Sequence, residues 1–482
     1  MSSQYTDYTT PVNFEGGSIP NVHPDYDGRN YAIWVSSRRY VGRYICHVES
    51  TTGEACVLRF ANGYERIHAT SEMTLTHSIH STSSISAPKV RLLSSSASIE
   101  EERFSWYTPT RFYPVNLGDV FRERYEVLAK MGYGSCRTVW LCRDLWEKKY
   151  VAVKVCISDY PGIQRERAAY AHIRKTISLL GTTPETGAGL VRTSIDEFDL
   201  ERTGSDSEAG PHRCFVFEPL MLDLVHTRET LGKIFDREEV WKIITVHVLR
   251  ALDFLHTKVG MVHGDIRAEN FFLRASNPDD DSSCQHLEEL ECSSPAPRKV
   301  ADDRIIYKTH GQIGPADPRK HGIPVLCDFG EAFFGQEHYQ EMIQPHHYRA
   351  PEVIFEIPWS YPVDIWNVGL MPNLFAYLAE SVALMGPPPA SFLRRAPPGI
   401  WERVFDKEGR WLKHNSVPIP PINLEQAESA LSGTGRDNRT FLRFMRRVLR
   451  WVPEERPTAR ELLQDPWLAG ERVSSKTLLP GV

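Results

Sequence analysis

The chain has 482 residues, of which 41% are hydrophobic and 24% are charged. This balance is typical of a globular protein, and the length allows roughly two to four domains or one large two-lobed domain. The formal net charge of −6 provides no cationic surface for nucleic acid, and no apolar run approaches the roughly 18 residues of a membrane-spanning helix. We therefore expect neither a nucleic-acid nor a membrane partner.

The cysteines and the N-terminal sequence bear on location. The nine cysteines are scattered singly, and MSSQYTDYTTPVNFEGG has no apolar core after a basic start. Reduced thiols without an export signal indicate the cytoplasm, the nucleus or both. The internal segment KVRLLSSSAS has the Arg and Ser content of an organelle transit peptide, so a mitochondrial location remains an alternative.

The first hundred residues divide into two parts. Residues 1–66 form an N-terminal extension of unknown role, in which YVGRYICHVES and ACVLRFANGY alternate in polarity and are predicted to pair as a hairpin. Residues 67–100 are rich in Ser, Thr and His, and we predict a linker that cannot bury a core.

From Tyr125 onwards the chain predicts strands first and helices afterwards. YEVLAKM, TVWLCRD, YVAVKVC and RCFVFEP have the composition of strands, whereas residues 162–180, 237–256 and 441–449 repeat apolar side chains at helical spacing. Residues 458–461, TARE, predict a helix start with a capping box. This order predicts an α+β fold with a β-rich N-lobe, an α-rich C-lobe and a cleft between them.

The predicted domain spans residues 101–470, with the N-lobe at 120–219 and the C-lobe at 220–470. Residues 471–482 are predicted to be a tail. No internal repeat is visible in the sequence.

The segment MGYGSCRTVW, residues 131–140, joins two predicted strands and has glycines at positions 132 and 134. Glycine lets the backbone approach phosphate groups without obstruction by a side chain. A plain hairpin turn remains an alternative for this segment alone, because the third glycine position of a phosphate-binding loop is occupied by Arg137.

Lys154 and Glu166 are predicted to form an ion pair. Lys154 shares one face of the strand VAVKVC with Ala152 and Cys156, and we expect that face to line the cleft. Glu166 falls on the apolar stripe of the following helix, four residues before Tyr170. A buried carboxylate is costly without a cationic partner, so Lys154 is the expected one. The alternative for Lys154 alone is a strand lysine that faces solvent.

The loop VHGDIRAENFF, residues 262–272, has the spacing of a phosphoryl-transfer loop. Asp265 is placed to accept the proton of an incoming hydroxyl, and Asn270 to hold Mg²⁺. Asp328, in VLCDFGEAF, is placed to bridge Mg²⁺ to the β- and γ-phosphates. Magnesium retains water and takes few protein oxygens, so Asn270 and Asp328 suffice. Small-molecule phosphotransferases of the choline and aminoglycoside type also use His-Gly-Asp, so the loop alone leaves the substrate class open.

Three further motifs follow in the C-lobe: YRAPEVIF with Glu352, DIWNVG with Asp364, and ERPTARELL with Arg456. We predict a buried ion pair between Glu352 and Arg456. Asp364 is predicted to hold the backbone of the catalytic loop.

In this order, the motifs of residues 125–470 resemble a eukaryotic protein kinase domain. The choline and aminoglycoside class lacks the APE, DIW and ERPTA elements. Within protein kinases, the closest resemblance is to the SR-protein kinases, particularly of fungal type. It rests on FSWYTPTRFYPVNLGDVFRERYEVLAKMGYGSCRTVWLCRDL, YRAPEVI, WSYPVDIWNVG and ALMGPPP, and on an insertion at residues 274–324 before CDFG. We expect this insertion to be structureless, although such a long loop is unusual in a compact domain.

The resemblance implies a two-lobed protein-kinase-like fold and a serine/threonine kinase that uses ATP and Mg²⁺. It implies protein substrates, with Arg-Ser-rich splicing factors as the family's substrate type, and adenine bonded to backbone groups behind Phe217. We expect a monomer. The implied sites are catalytic Asp265, Lys154 and Arg267; nucleotide-binding Met131, Gly132, Tyr133, Gly134, Val139, Lys154, Glu166, Glu218 and Leu220; and metal-binding Asn270 and Asp328.

The chain departs from the family pattern at several points. Gly264 replaces an Arg that in many kinases binds a phosphate on the activation loop, and the segment from Glu331 to Arg349 contains no Ser or Thr. We therefore predict no activation by Ser/Thr phosphorylation there, while Tyr339 and Tyr348 remain acceptors. Arg267 replaces the usual Lys with a larger, planar group, which predicts a lower turnover.

The largest departure follows DIWNVGLM, where the chain is shorter than its relatives and Pro372 interrupts the expected helix. In the SR-protein kinases, acidic residues of this region help to dock Arg-rich substrates. The alternative function is therefore a pseudokinase scaffold with a shortened C-lobe, although every nucleotide- and metal-handling residue is present.

Overall fold

The computed structural model describes sixteen ranges of the chain, and for the first four of them only the backbone. Contacts divide the chain into two units, Met1–Val155 with Arg202–Glu208 and Gln285–His310, and Cys156–Glu201 with Ala209–Cys284 and Gly311–Val482. The predicted lobe bounds at 219 and 220 stay a prediction. The described ranges are 30–36, 41–52, 55–60, 63–68, 90–181, 186–202, 210–220, 222–277, 279–301, 304–310, 320–335, 341–371, 378–397, 399–414, 417–426 and 439–468.

The first unit consists mainly of strands. Its first four form one antiparallel sheet, so the predicted hairpin of residues 40–64 is confirmed, while the two outer strands were not predicted. The next four are neighbours in sequential order. These strands are β1 (Asn30–Ser36), β2 (Val41–Thr52), β3 (Ala55–Phe60), β4 (Gly63–His68), β5 (Val120–Phe121), β6 (Tyr125–Gly134), β7 (Arg137–Asp144) and β8 (Lys149–Cys156).

Most of the helices lie in the second unit. The helices predicted at 162–180, 237–256 and 441–449 are confirmed, and the capping box is present, with Glu461 Oε2 accepting from the Thr458 amide at 2.8 Å. The helices among the described residues are α1 (Ile163–Leu180), α2 (Leu224–Leu231), α3 (Glu238–Phe254), α4 (Ser282–Ser293), α5 (Pro351–Ile354), α6 (Pro362–Leu370), α7 (Leu378–Met385), α8 (Ala390–Leu393), α9 (Arg439–Val448) and α10 (Ala459–Leu462).

Short antiparallel strand pairs hold the loops of the second unit. The later strands that the structure describes are β9 (Asp196–Leu200), β10 (His212–Phe217), β11 (Met261–Val262), β12 (Phe271–Ala275), β13 (Arg298–Val300), β14 (Ile305–Tyr307), β15 (His321–Leu326) and β16 (Phe333–Phe334). β11 pairs with β16 and β12 pairs with β15. Residues 263–270 leave β11 and enter β12, while residues 327–332 connect β15 to β16. The two connections therefore start and end beside each other.

The second unit has its core around α3 and in an aromatic cluster of the C-terminal half. Eleven residues of α3 are buried, and the apolar side chains repeat at helical spacing. The cluster includes Phe355, Phe392, Phe405, Trp411 and Trp451, all nearly inaccessible to water. Aromatic side chains of this size contribute a large share of the buried apolar area of a domain.

The prediction of a structureless insertion at residues 274–324 is wrong for its described part. It contains α4 and the antiparallel pair of β13 and β14. The physical reason is a set of contacts with distant parts of the first unit: Glu288 pairs with Arg143, and the Tyr307 ring packs edge-on against Trp140 at a centroid distance of 5.7 Å. Within the insertion, Glu291 pairs with Arg298 at 2.7 Å.

Residues 90–100, at the end of the predicted linker, also differ from that prediction. The amide of Leu93 donates to the Arg298 carbonyl at 2.9 Å, and Ile99, Glu100 and Glu101 are buried. Pro372, Tyr339 and the tail at 471–482 lie outside the described residues. None of the helices that the structure describes combines the length and apolar character needed to cross a membrane.

Candidate active site

The loop between β11 and β12 brings three predicted site residues together. Asn270 Nδ2 donates to both the Oδ2 atom and the backbone carbonyl of Asp265, each at 2.8 Å. Arg267 Nε donates to the same Oδ2 at 3.2 Å. Asp265 Oδ1 is buried and has no hydrogen-bond partner among the described residues. One carboxylate oxygen is thus fixed, and the other is an acceptor that is available to a ligand.

Two buried side chains, those of Asp364 and His263, accept hydrogen bonds from the backbone amides of this loop. Asp364 accepts from the amides of His263 at 2.8 Å and Gly264 at 2.9 Å, as predicted, and His256 Nε2 lies 2.9 Å from Asp364 Oδ2. His263 Nδ1 accepts from the Asp265 amide at 3.2 Å. Because Asp364 is fully buried at the start of α6, the loop backbone is fixed to the helical core.

Gly264 has a backbone conformation that suits glycine. Its φ is +78°, and a Cβ atom at this position would lie 2.6 Å from the backbone carbonyl oxygen of Glu331. An L-residue pays a penalty in this left-handed region, and here it would also collide with backbone. The glycine that replaces the family's arginine therefore permits a close approach to residues 327–332.

Asp328 lies beside this loop. The Cys327 amide donates to the Asn270 carbonyl at 2.8 Å, which places the next residue, Asp328, next to the end of the catalytic loop. Asp328 has a φ of +69°, a left-handed conformation that Asp adopts more readily than most residues. Burial raises the pKa of Glu331; Arg165 opposes this shift, and the charges of Asp265 and Asp328 add to it. The Glu331 carboxylate is therefore near enough to Asp265 and Asp328 to be affected by both of their charges.

The residues of this group fit a hard cation. Carboxylate and amide oxygens are the ligands that Mg²⁺ prefers, and it needs only one or two of them from the protein. Asn270 uses its nitrogen on Asp265, so its oxygen is the atom for a cation, and the mutual repulsion of nearby carboxylates favours binding one.

Glu166 is fully buried on α1, as its apolar stripe predicted. Its Oε1 accepts from the Tyr170 hydroxyl at 3.1 Å, and the Tyr170 ring packs edge-on against Phe217 and Phe329. Burial raises the pKa of Tyr170, and the charges of Glu166 and Asp328 raise it further. Glu166, Asp328 and the Phe217 ring therefore belong to one neighbourhood of the second unit.

The remaining predicted site residues belong to the first unit, except for Glu218 and Leu220, which belong to the second. Lys154 lies in the middle of β8 and is 6% exposed. Its ion pair with Glu166 stays a prediction, since the two residues belong to different units. β6 and β7 pair with the register Gly132 to Val139 and Gly134 to Arg137. No atom lies within 4 Å of a Cβ placed on Gly132.

Met131 and Tyr133 flank these glycines in β6. Glu218 and Leu220, of the second unit, follow β10 directly. Their contacts with nucleotide stay predictions.

The predicted Glu352–Arg456 pair is confirmed. Arg456 donates to both carboxylate oxygens, at 2.6 and 2.8 Å, and both side chains are fully buried. Arg456 also donates to the backbone carbonyls of Pro362 and Arg450. Such bidentate geometry satisfies both charges and ties α5 to the C-terminal helices.

Sequence reasoning missed two residues at this site. Glu331 gave no signal except that it directly follows Asp-Phe-Gly, the segment predicted to bind metal. Arg192 gave none; it follows a short 3₁₀ turn and lies over the Phe217 ring, with its guanidinium carbon 4.2 Å from the ring centroid. The alternation of polar and apolar residues in the sequence does not distinguish an arginine that stacks on a ring from one that faces solvent.

Several known proteins are similar to this chain in sequence. The family description of the protein kinase domain matches residues 305–468. A serine/threonine protein kinase of Aspergillus fumigatus is 38% identical over 399 residues, which cover 79% of this chain and 93% of the relative. The chain belongs to the serine/threonine protein kinases. The buried Glu352–Arg456 pair and the contact of Asp364 with the 262–272 loop are those that the family motifs predicted.

More distant kinases are also similar to this one. A serine/threonine-protein kinase SRPK of Physarum polycephalum is 28% identical over 77% of this chain and 92% of its own length. A dual specificity protein kinase CLK2 of Mus musculus is 23% identical over 73% of this chain and 66% of its own length. The crystal structure of a kinase domain aligns with a TM-score of 0.52 at 22% identity, over 74% of this chain and 98% of that one. This likeness supports the predicted kinase-like α+β fold.

Proposed function

We propose that this kinase transfers the γ-phosphate of ATP to serine side chains of Arg-Ser-rich protein substrates, with Mg²⁺ as its cofactor. The observation that supports this best is Asp265, which has one oxygen bonded to Asn270 and Arg267 and the other buried without a partner among the described residues. That second oxygen has the position and chemistry to accept the proton of a serine hydroxyl.

Each residue of the site has a distinct task in this proposal. Asp265 orients the substrate hydroxyl, and Asn270 and Asp328 would hold Mg²⁺, which neutralises the charge of the β- and γ-phosphates when bound. Arg267 provides a permanent positive charge beside the acceptor oxygen. Lys154, oriented by Glu166, binds the α/β-phosphates. Little covalent chemistry is required of the protein, because positioning and charge neutralisation provide most of the acceleration in phosphoryl transfer.

The nucleotide base has its own proposed site on the second unit. Adenine would bond the backbone of Glu218 and Leu220, beside Phe217. The strand-turn-strand with Met131, Gly132, Tyr133, Gly134 and Val139 would cover the phosphates.

The substrate class is proposed from the family relationship. One relative is named for the SRPK group, and the matching motifs extend from the N-lobe to ALMGPPP. We further propose that the kinase acts as a monomer in the cytoplasm, the nucleus or both, without direct contact to nucleic acid. The shortened segment after Met371 favours one alternative, a scaffold that binds partners without catalysis.

A transfer assay tests the proposal. The purified full chain is incubated with γ-labelled ATP, Mg²⁺ and an Arg-Ser repeat peptide, beside a peptide in which every Arg is Lys. The Asp265→Asn variant keeps the shape and removes the base, so transfer should fall by about 10²- to 10⁴-fold. A matched control is Asp253→Asn, because Asp253 also has a buried oxygen without a partner among the described residues but lies on α3.

The outcomes separate the alternatives. Transfer to the Arg-Ser peptide that only Asp265→Asn abolishes supports the proposed kinase. Equal labelling of both peptides overturns the Arg-Ser specificity. Equal, residual labelling by the parent chain and by Asp265→Asn supports the scaffold instead.

A further inference from the structure

Arg192 has an unusual position at the edge of the proposed base site. Its backbone amide donates to the Leu326 carbonyl at 2.9 Å, which places it beside the end of β15. Its side chain stacks on Phe217, and its terminal nitrogen donates to the backbone carbonyl of Glu218 at 3.0 Å. This carbonyl is one of the two backbone groups proposed to bond adenine.

The guanidinium is bounded on two sides within the same site, by the Phe217 ring and by the Glu218 carbonyl. The Nε–H of Arg192 is buried and has no acceptor among the described residues. A buried donor without an acceptor favours a ligand that supplies one.

The chemistry of the two purines differs at this point. Adenine presents an amino group at position 6, a donor that needs the Glu218 carbonyl. Arg192 already donates to that oxygen, so the adenine amino group and the guanidinium compete for it, although a carbonyl has two lone pairs and ATP is not excluded. Guanine presents an oxygen at position 6 beside its N7 nitrogen. Two-pronged binding of this pair of acceptors by arginine is the commonest specific contact of proteins with guanine in DNA.

We propose that Arg192 is a specificity-determining residue of the nucleotide site, which allows this kinase to use GTP as well as ATP by donating to the 6-oxygen and N7 of the guanine base. This inference rests on the proposed nucleotide-dependent function of the same site. The substrate class it adds is a purine nucleoside triphosphate with an acceptor at position 6.

Binding measurements test the inference separately from catalysis. The full chain is titrated with ATP and with GTP in the presence of Mg²⁺, and the two dissociation constants are measured by calorimetry. We expect them to agree within about tenfold. Arg192→Val should shift the ratio toward ATP by between about fivefold and about 100-fold, the range of one two-pronged arginine–guanine contact. Arg192→Lys keeps the positive charge but lacks the planar guanidinium, so its ratio of ATP to GTP affinity should lie between those of the parent chain and Arg192→Val.

Arg274→Val is the matched control. Arg274 also lies near Glu218, but its guanidinium is 3.5 Å from the side-chain carboxylate and donates to the Gly189 carbonyl. This control should keep the ATP-to-GTP ratio within about twofold of the parent. If it shifts the ratio as much as Arg192→Val does, a general charge effect replaces the proposed contact and the inference is overturned.

Two other results would also overturn it. If the parent chain prefers ATP by far more than tenfold and Arg192→Val leaves the ratio unchanged, the role of Arg192 is refuted and the proposed kinase stands. If neither nucleotide binds the parent chain or any variant, the proposed nucleotide-dependent function fails together with the inference. Thermal unfolding of each variant without nucleotide shows that it is folded before titration; where Arg192→Val is unfolded, Arg192→Lys decides.

Discussion

At the scale of single residues, the departures from the family pattern have structural consequences of different kinds. The positive φ of Gly264 and the nearby Glu331 carbonyl both require a glycine at this position. The replacement of the family's arginine therefore accompanies a close approach between residues 263–270 and residues 327–332. Arg267 keeps its positive charge and donates to Asp265. The first departure concerns packing, and the second concerns Asp265, the proposed proton acceptor.

Gly264→Ala should destabilise the protein more than the same substitution at a glycine that has a similar positive φ but no neighbouring atoms. The control is Gly260→Ala, because Gly260 has a φ of +69° and no atom within 4 Å of the position that a Cβ would take. Gly260→Ala should cost about 1–2 kcal/mol, and Gly264→Ala should cost clearly more because its Cβ meets backbone. Thermal unfolding of both variants measures this; equal midpoints would contradict the close approach.

Arg267→Lys should raise turnover. A lysine ammonium is more compact and has freely rotating donors, so it can follow a phosphate that moves during transfer. We expect a several-fold rise in kcat, which corresponds to less than about 1.4 kcal/mol of barrier. Steady-state kinetics measure the change, and Arg267→Gln is the control that removes the charge. An unchanged or lower kcat in Arg267→Lys would show that the guanidinium is the better group here.

At the scale of elements, charged groups buried in the first unit join segments that are distant in sequence. Lys130, in β6, is 2% exposed and pairs with Glu101 at 2.6 Å, and it also donates to the Tyr307 carbonyl at 3.0 Å. Lys299, in β13, pairs with Glu102 at 2.7 Å. These contacts hold the segment before the kinase motifs against β6 and the insertion.

Lys130→Met should therefore destabilise the first unit. Removing one partner of a buried ion pair typically costs about 3–5 kcal/mol, since the other charge stays buried without compensation. Lys149→Met is the control, because Lys149 is an exposed lysine of β8. Urea unfolding measures both variants, and the double variant Lys130→Met with Glu101→Leu should recover much of the loss. A Lys130→Met variant as stable as the control would mean that the pair contributes little.

At the scale of the whole molecule, the long-range motifs were predictable and the insertion was not. The Glu352–Arg456 pair and the hold of Asp364 on the catalytic loop follow from short motifs that each contain a distinctive residue. In α4, by contrast, the buried residues are Leu287 and Glu291, too few apolar positions for a helical period. Its contacts are ion pairs with Arg143 and Arg298, which composition alone does not reveal.

The same limit explains part of the other differences. β1 and β4 extend a predicted hairpin into a sheet; β1 (NYAIWVS) has the aromatic and β-branched residues typical of a strand, whereas β4 (GYERIH) has a weaker signal. Arg192 stacks on the ring of Phe217, the last residue of β10. The two residues are distant in sequence, so only the tertiary fold brings them together. Residues that belong to a family motif were predicted even where their partners lie in a distant motif, and residues outside such motifs, such as Arg192 and Glu291, were missed.

The kinase should be active without Ser/Thr phosphate between Glu331 and Arg349. That segment contains no acceptor hydroxyl of this type, and Gly264 has no side chain to bind such a phosphate. Treatment of the purified protein with a Ser/Thr phosphatase should leave peptide phosphorylation within about twofold of the untreated sample. Mass spectrometry of the same samples monitors Tyr348. A large loss of activity would indicate a required phosphate elsewhere in the chain.

The ion pairs of Lys130 and Lys299 have a further consequence for how two segments of the chain evolve. Glu102 and Lys299 are 197 positions apart, so two stretches on either side of the glycine segment, Lys154 and the 262–272 loop depend on each other for charge balance. A shortened gene product that starts at the N-lobe bound of residue 120 would leave both ammonium groups without these counterions. Loss of either stretch during evolution therefore demands a compensating change in the other, and the two should be retained or lost as a pair.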